Sequence, residues 1–425
     1  MRDRIVTLNS LRPPQGQAES AESNPEAKTP EGKLALARYY RIMQRLEQET
    51  DDTGDDVMIT VQDREVSLAQ SKLAKEGTPA SPLASGGQEV QFGTGLAGGD
   101  WFRWVWSLTD WVDRINAHPM LRPKTTSPDT LTGDLSVAIA ADWGTGLYGA
   151  PTFAKTLRKM AAPKKFDIAM HLGDVYYSGT DDEIDERFLT VWPSDAATTN
   201  RALNGNHEMY SGGFGYFKKI LPAFGQEGSY FAVQSEGWLL VGLDTAYVDH
   251  DMDATQIAWL DMIVGQKGQR KVVLFSHQQP FSQLDNQGPK LQQALRHLLE
   301  AKSIRAWYWG HQHDCIVYDE HKKWGMFGRC LGNGGIPSAR NDKVKSAPAD
   351  TTHRGGGDSS WRRLPETPDA PGCIVLDGKN MDMKKTKDQE KFVPHGFMTL
   401  EFKGASLIER VFLSNGTEIF SNTIA

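Results

Sequence analysis

The sequence predicts an α/β layered domain over residues 131–425, preceded by an N-terminal, partly helical extension over residues 1–130. Three observations carry this expectation. From about Leu131 onward, short apolar runs of strand length alternate with amphipathic runs of helical spacing. Before that point the alternation is missing, and helix-period stretches are separated by segments rich in Gly, Pro and Ser. The apolar runs of the second part also end repeatedly on or near Asp, Asn or His, at the strand ends where open α/β sheets bind ligands.

Bulk properties exclude several classes. The chain has 425 residues, enough for a sizeable core without disulfides or structural zinc. Its 47 basic and 54 acidic residues give a net charge of −7, which argues against a general nucleic-acid-binding protein. Mean hydropathy is −0.49 and 39% of residues are hydrophobic, as in a soluble globular protein. No apolar run approaches the ~18 residues of a membrane span. The start, MRDRIVTLNSLRPPQGQ, lacks the apolar stretch of a signal peptide. Cys315, Cys330 and Cys373 form no C-x-x-C pair, so a disulfide scaffold is excluded and the expected compartment is the cytoplasm.

Residues 13–33, rich in Pro, Glu, Ser, Ala and Gln, read as a mobile arm. A helix is expected near residues 34–48, where Leu36, Tyr39, Ile42, Met43 and Leu46 share a face. The acidic cluster at 49–56 lacks the alternating carboxylates of a calcium loop and reads as a solvated turn. Residues 77–99 read as a linker or long loop. In the stretch 101–116, Trp101, Trp104, Val105, Leu108, Trp111, Val112 and Ile115 recur at helical spacing. That face is expected to pack on the main domain, with contact to a protein partner or a membrane surface as the alternative.

Strands are then expected at LSVAIAAD (135–142), FDIAMHLGD (166–174), GWLLVGLD (237–244), KVVLFSH (271–277) and IRAWYWGH (304–311). Helices are expected at PTFAKTLRKM (151–160), TQIAWLDMIVGQ (255–266) and PKLQQALRHLLEAK (289–302). The closing stretch, 396–420, reads as three strands with turns at Lys403–Gly404 and Asn415–Gly416, and residues 338–370 read as a loop-like insertion.

Gly144, Gly146 and Gly149 spell G-x-G-x-x-G between a strand and a helix, and Gly93, Gly95 and Gly98 spell it again. This makes a dinucleotide-binding oxidoreductase an alternative. Against it, Asp142 would repel a pyrophosphate, Pro151 begins the helix late, and the polar ends of the later strands stay unexplained.

Those ends carry Asp142, Asp174, Asn206, His207, His277, His311 and His313. Carboxylates, an amide oxygen and imidazoles without a thiol suit Zn, Mn, Fe or Mg rather than copper or an iron–sulfur cluster. A carboxylate can bridge two ions, because each oxygen has its own lone pairs. A metal pair makes hydroxide available near neutral pH for in-line attack on phosphorus. An adjacent imidazole can protonate the departing alkoxide. Singly, Asp174 reads equally as a turn residue or helix cap, Asn206 as a left-handed turn residue and His277 as a core histidine. Their joint recurrence at five strand ends is what points to a metal site.

GDVYY (Gly173–Tyr177), GNHE (Gly205–Glu208), FSH (Phe275–His277) and GHQH (Gly310–His313) resemble the calcineurin-like metallophosphoesterase superfamily. Most members have Asp-x-His in the first block. Asp142-Trp143-Gly144, together with Gly-Asp-x-x-Tyr, is similar to the purple acid phosphatase branch. The resemblance spans about Leu131 to Ala425. It implies a two-sheet α/β/β/α sandwich and a phosphohydrolase that cleaves phosphate esters with a metal-bound hydroxide. It further implies that Asp142, Tyr177 and His313 hold a first metal, that Asn206, His277 and His311 hold a second, and that Asp174 bridges them. His207 would sit near the phosphate as electrostatic stabiliser or general acid, with Glu208 orienting its imidazole. A Tyr177 phenolate implies Fe(III) paired with Zn, Mn or Fe(II); two divalent ions are the alternative. Gln278 and Gln279 stand where plant-type members carry substrate-holding histidines; His353 and Arg354, in the loop-like stretch 338–370, are candidates to supply phosphate contact instead, with a disordered insertion as the alternative. A catalytically weak scaffold of the same fold, binding a protein partner, is the remaining alternative, and the intact ligand set speaks against it.

Overall fold

A computed structural model describes residues 3–18, 24–49, 61–83, 86–92, 101–160, 166–193, 198–353 and 355–425. In the extension, β1 (Arg4–Ile5), β2 (Thr78–Pro82) and β3 (Gln88–Gln91) form a small sheet of order β1-β3-β2. The stretch expected as a linker therefore contains two strands. Its prolines and serine are compatible with a strand because β2 is an exposed edge strand, where proline is tolerated. Only Val90 of β3 is buried.

The first long helix, Pro30–Glu49, starts earlier than expected. The Thr29 hydroxyl accepts the Gly32 N–H at 3.0 Å, and Pro30 occupies the first helical position. So the end of the supposed mobile arm is structured, while 19–23, the acidic cluster beyond 49 and the second glycine motif lie outside the described residues. A second helix, Arg64–Glu76, is capped by Asp63 and was not legible: it buries Ser67, Gln70 and Ser71 beside Val66, Leu68 and Leu73, which blurs its apolar stripe. The Trp-rich helix, Trp101–Arg114, buries Trp101, Trp104, Val105, Leu108 and Val112. They join the extension's core together with Leu147, Tyr148, Tyr176, Tyr177, Ile336, Met383 and Phe392 of the main domain. Most of that apolar face is thus used in internal packing, while Trp111 and Ile115 are only half-buried.

The main domain runs through β4 (Asp129–Thr130), β5 (Leu135–Ala140), β6 (Ile168–His171), β7 (Thr199–Ala202), β8 (Phe231–Gln234), β9 (Trp238–Gly242), β10 (Lys271–Ser276), β11 (Ile304–Trp309), β12 (Cys315–His321), β13 (Met326–Leu331), β14 (Ser359–Leu364), β15 (Cys373–Gly378), β16 (Gly396–Lys403), β17 (Ser406–Leu413) and β18 (Glu418–Ile424). One sheet has the order β18-β17-β16-β5-β6-β7, the other β14-β15-β12-β13-β11-β10-β9-β8-β4. The period-2 alternation of each central strand feeds two cores. Val137 and Ile139 of β5 meet Val273 and Phe275 of β10 between the sheets. Ala138 and Ala140 face outward, into a layer that includes Phe153 and Leu157 of the helix Gly149–Met160. Val272 and Leu274 face Leu260, Ile263 and Leu291 on the opposite side. The result is the α/β/β/α sandwich. Residues 338–370 are less loop-like than composition suggests: they hold a short helix, Asp342–Ser346, and the edge strand β14, anchored by Trp361 and Leu364.

Candidate metal centre

Strands β5, β6 and β7 run parallel, as do β9, β10 and β11, so the chain leaves each sheet along one edge. Asp142, Asp174, Asn206, His277 and His311 all lie just past those strand ends. Asp142, Asp174 and His311 have φ of 53°, 73° and 64°, a left-handed backbone that costs non-glycine residues about 1–3 kcal/mol each and clusters at functional sites. Gly205 is needed for close approach, since a Cβ there would lie 2.1 Å from Asp174 Oδ1.

Two groups of potential ligands result among the described residues. Asp174, His277 and His311 form one, and Asp142, Asp174 and His313 the other. All but His313 are buried, and Asp174 belongs to both. Asn206 joins the first group: its Nδ2 donates to the Tyr210 hydroxyl at 2.9 Å, which turns Oδ1 toward His277 Nε2 (3.0 Å) and His311 Nδ1 (2.8 Å). His277 Nδ1 donates to the Leu172 carbonyl at 2.8 Å, so the Nε2 lone pair faces Asn206 Oδ1 and, at 3.2 Å, Asp174 Oδ2. Acceptors facing acceptors need a cation between them. Burial lowers the His277 pKa, but Asp174 and Asp142 outweigh it and push it up to about 9, so a proton fills the gap when no metal does. Burial raises the Asp142 carboxyl, and its Oδ1 has no hydrogen-bond partner while lying 3.5 Å from His313 Nε2. These donors fit a pair of metal ions, in number and in kind.

His207 turns its ring between Tyr176 and Tyr210, with centroids 3.8 and 4.7 Å away. Nδ1 donates to the Tyr177 carbonyl at 2.5 Å, and the buried Nε2, without a partner, lies 3.9 Å from Asp174 Oδ2. Burial holds this imidazole down to about 4.

Three expectations need correction. Glu208 does not hydrogen-bond the His207 ring, whose Nδ1 is taken by the Tyr177 carbonyl and whose Nε2 has no partner. Its carboxylate accepts the N–H groups of Asp174 (3.1 Å), Val175 (2.9 Å) and Gly205 (3.0 Å), pinning the Asp174 loop to the loop of Asn206. Tyr177 does not face the ligands. Its hydroxyl accepts the Val6 N–H at 2.8 Å and its ring lies under Arg187, inside the extension's core. Tyr176 points into the site instead, with its hydroxyl 2.6 Å from His313 Nε2 and 3.3 Å from Asp174 Oδ2. Motif spacing selects the second tyrosine, and only the backbone course between Asp174 and Glu183 reveals the first. Finally, His353 pairs with Asp350 and packs on Phe420, neither of which belongs to the ligand groups; Arg354 lies outside the described residues.

Sequence reasoning also missed contributors from the extension and from a distant turn. Gln62 Nε2 donates to the His311 carbonyl at 2.9 Å, and Arg64 to the Tyr210 carbonyl at 3.1 Å. His250 Nε2 lies 3.3 Å from His311 Nε2. The glycines at 144–149 are used in packing: a Cβ at Gly146 would lie 2.1 Å from the Arg187 carbonyl, and one at Gly149 would strike the His395 ring.

Comparison with known proteins agrees with this geometry. The calcineurin-like phosphoesterase family matches residues 135–315, which contain every ligand candidate. No curated protein matches the sequence. Among solved structures, the chain is similar in fold to the purple acid phosphatase from yellow lupin (Lupinus luteus) seeds, with a TM-score of 0.50 and 16% identity over 69% of this chain. The match spans 54% of the lupin chain, about half its length. The Plasmodium inner-membrane-complex anchor protein matches with a TM-score of 0.44 at 12% identity, over 69% of this chain and 89% of its own. Vacuolar Protein Sorting 29 from Cryptosporidium parvum matches at 0.31 and 14%, over 68% and 97%. The segment 135–315, which carries all of the candidate strand-end ligands, is thus similar to the calcineurin-like phosphoesterase family, and the fold around it is similar to that of a purple acid phosphatase.

Proposed function

We propose that the protein is a dinuclear metal-dependent phosphohydrolase acting on phosphate esters, akin to the purple acid phosphatases. The observation that carries this reading is the shared carboxylate of Asp174, common to two groups of metal-ligating atoms. Asp142, Asp174, His313 and Tyr176 would hold one ion, and Asp174, Asn206, His277 and His311 the other. A bound metal pair supplies an activated water and offsets charge on the phosphoryl group.

The remaining work falls to the chain itself. Asp174 Oδ1 accepts the His207 N–H at 3.0 Å, which fixes the carboxylate's plane, while Oδ2 stays open to His277 and Tyr176. His207 Nε2 is the atom assigned to the phosphoryl group; because Nδ1 carries the proton of the neutral ring and burial holds the imidazole down to about 4, Nε2 donates to the leaving oxygen only when the ring is protonated, at acid pH. Its ring is held between Tyr176 and Tyr210, so it presents one face and one nitrogen. Tyr176, as a hard phenolate donor, favours a trivalent iron in the first position, paired with Zn, Mn or Fe(II).

A metal-supplemented panel comparing a chromogenic phosphomonoester with its diester tests this reading. Hydrolysis of at least one, dependent on added metal, is expected. Two bound ions with no hydrolysis of either ester would favour a non-catalytic scaffold, and saturable NAD(H) binding would revive the oxidoreductase alternative.

A further inference from the structure

We infer that His250, which lies outside the ligand set, is a positioning residue that fixes which imidazole nitrogen His311 turns toward the metal. The inference rests on the dinuclear reading above. His250 sits in a tight turn between β9 and the helix Ala254–Gly265, closed by a bridge between Val248 and Asp251. Lys290 Nζ braces the turn through the Asp249 carbonyl at 3.0 Å. His250 has a φ of 62°, where glycine is the usual occupant. Among the described residues six non-glycine residues have positive φ; Asp142, Asp174 and His311 are three of them, and His250 is a fourth at the same site.

The proton positions follow from a chain of hydrogen bonds. Asp249 Oδ1 lies 2.8 Å from His250 Nδ1, and a carboxylate only accepts, so that nitrogen carries the hydrogen. His250 Nε2 is then a lone pair, and at 3.3 Å it accepts the Nε2–H of His311. His311 Nδ1 is left unprotonated, facing Asn206 Oδ1 at 2.8 Å on the side of the ligand group. Without His250 the opposite tautomer becomes favourable. A proton on His311 Nδ1 would donate to Asn206 Oδ1, and that bond would occupy two ligand atoms at once. His250 therefore holds open the position that the metal takes, as outer partners of ligating histidines do. Gln278, in the block after His277, cannot do this: it is buried and bonded to Thr245.

The test is a Co(II) titration of the full chain against a competing chelator, following the visible d–d bands, for wild type, His250→Phe and His250→Gln. Wild type binds two Co(II). His250→Phe weakens one of them by about 10–100-fold and leaves the other unchanged. His250→Gln, whose Oε1 can accept the His311 proton, restores most of the loss. The melting temperature of the metal-free protein is the same in all three. Equal Co(II) binding by His250→Phe and wild type overturns the inference. So does a glutamine variant no better than phenylalanine, or a loss of both ions together with a lower metal-free melting temperature. A wild type that fails to bind two Co(II) overturns the dinuclear reading itself, and the wild-type titration alone reveals that.

Discussion

Tyr176 and Tyr177 are adjacent and buried in the same core, yet their hydroxyls reach different parts of the protein. One faces the ligands through His313 and Asp174, and the other accepts the Val6 N–H of the extension. Aerobically purified, iron-loaded protein is expected to show a visible phenolate-to-iron band. Tyr176→Phe should abolish it while the second ion stays bound. Tyr177→Phe should keep the colour but lose about 1–3 kcal/mol of stability, because the buried Val6 N–H loses its acceptor. A colourless iron-loaded wild type, or a band that survives Tyr176→Phe, rejects tyrosinate ligation by this residue. His207 is the second test at this scale: His207→Ala should lower kcat by ~10²-fold or more with both ions retained. Loss of a metal would make it a ligand instead. The candidate ligands among the Asp, Asn and His residues were legible because each sits at or shortly after a strand end beside an apolar run. Which of two neighbouring tyrosines turns inward depends on backbone course, and so does the target of the Glu208 carboxylate; neither is written in spacing.

At the scale of elements, the site is a meeting of loops, and Glu208 is the residue that ties two of them. Its three N–H donors come from the Asp174 loop and from Gly205. Burial, with Asp174 nearby, pushes this carboxyl up to about 8, while backbone N–H donors such as that of Val175 act in the opposite direction. Glu208→Ala strands three buried N–H groups, and urea denaturation of the metal-free protein should show a loss of ~3 kcal/mol or more. A loss below about 1 kcal/mol would mean that the loops hold their course without it. Regular strands and helices of the sandwich were readable from their periods. Strand β2 was not, because an edge strand needs no apolar face, nor was the helix Arg64–Glu76, whose buried serines and glutamine bond inside the protein, as Ser71 does to Glu183 at 2.9 Å.

At the scale of the whole molecule, the two sheets are joined by more than apolar contact. Arg329 on β13 makes a two-pronged pair with Glu409 on β17, at 2.9 and 2.8 Å, and the Tyr308 hydroxyl adds a third bond to Glu409 at 2.6 Å. All three side chains are buried. Arg329→Met leaves that carboxylate buried without its cation and should cost about 3–5 kcal/mol. An unchanged denaturation midpoint would show that the sandwich does not depend on this pair. The extension is equally joined to the sandwich, sharing a core with it and reaching the His311 loop through Gln62.

The central claim is that Asp174 bridges two metal ions that together cleave a phosphate ester. The most direct measurement is the metal content of purified, metal-reconstituted Asp174→Asn beside wild type, with turnover of a phosphomonoester and its diester followed on the same samples. Two ions per chain and metal-dependent turnover are expected in the wild type, with both collapsing in the variant. An Asp174→Asn protein that keeps both ions, or turns over within about tenfold of wild type, would contradict the bridge.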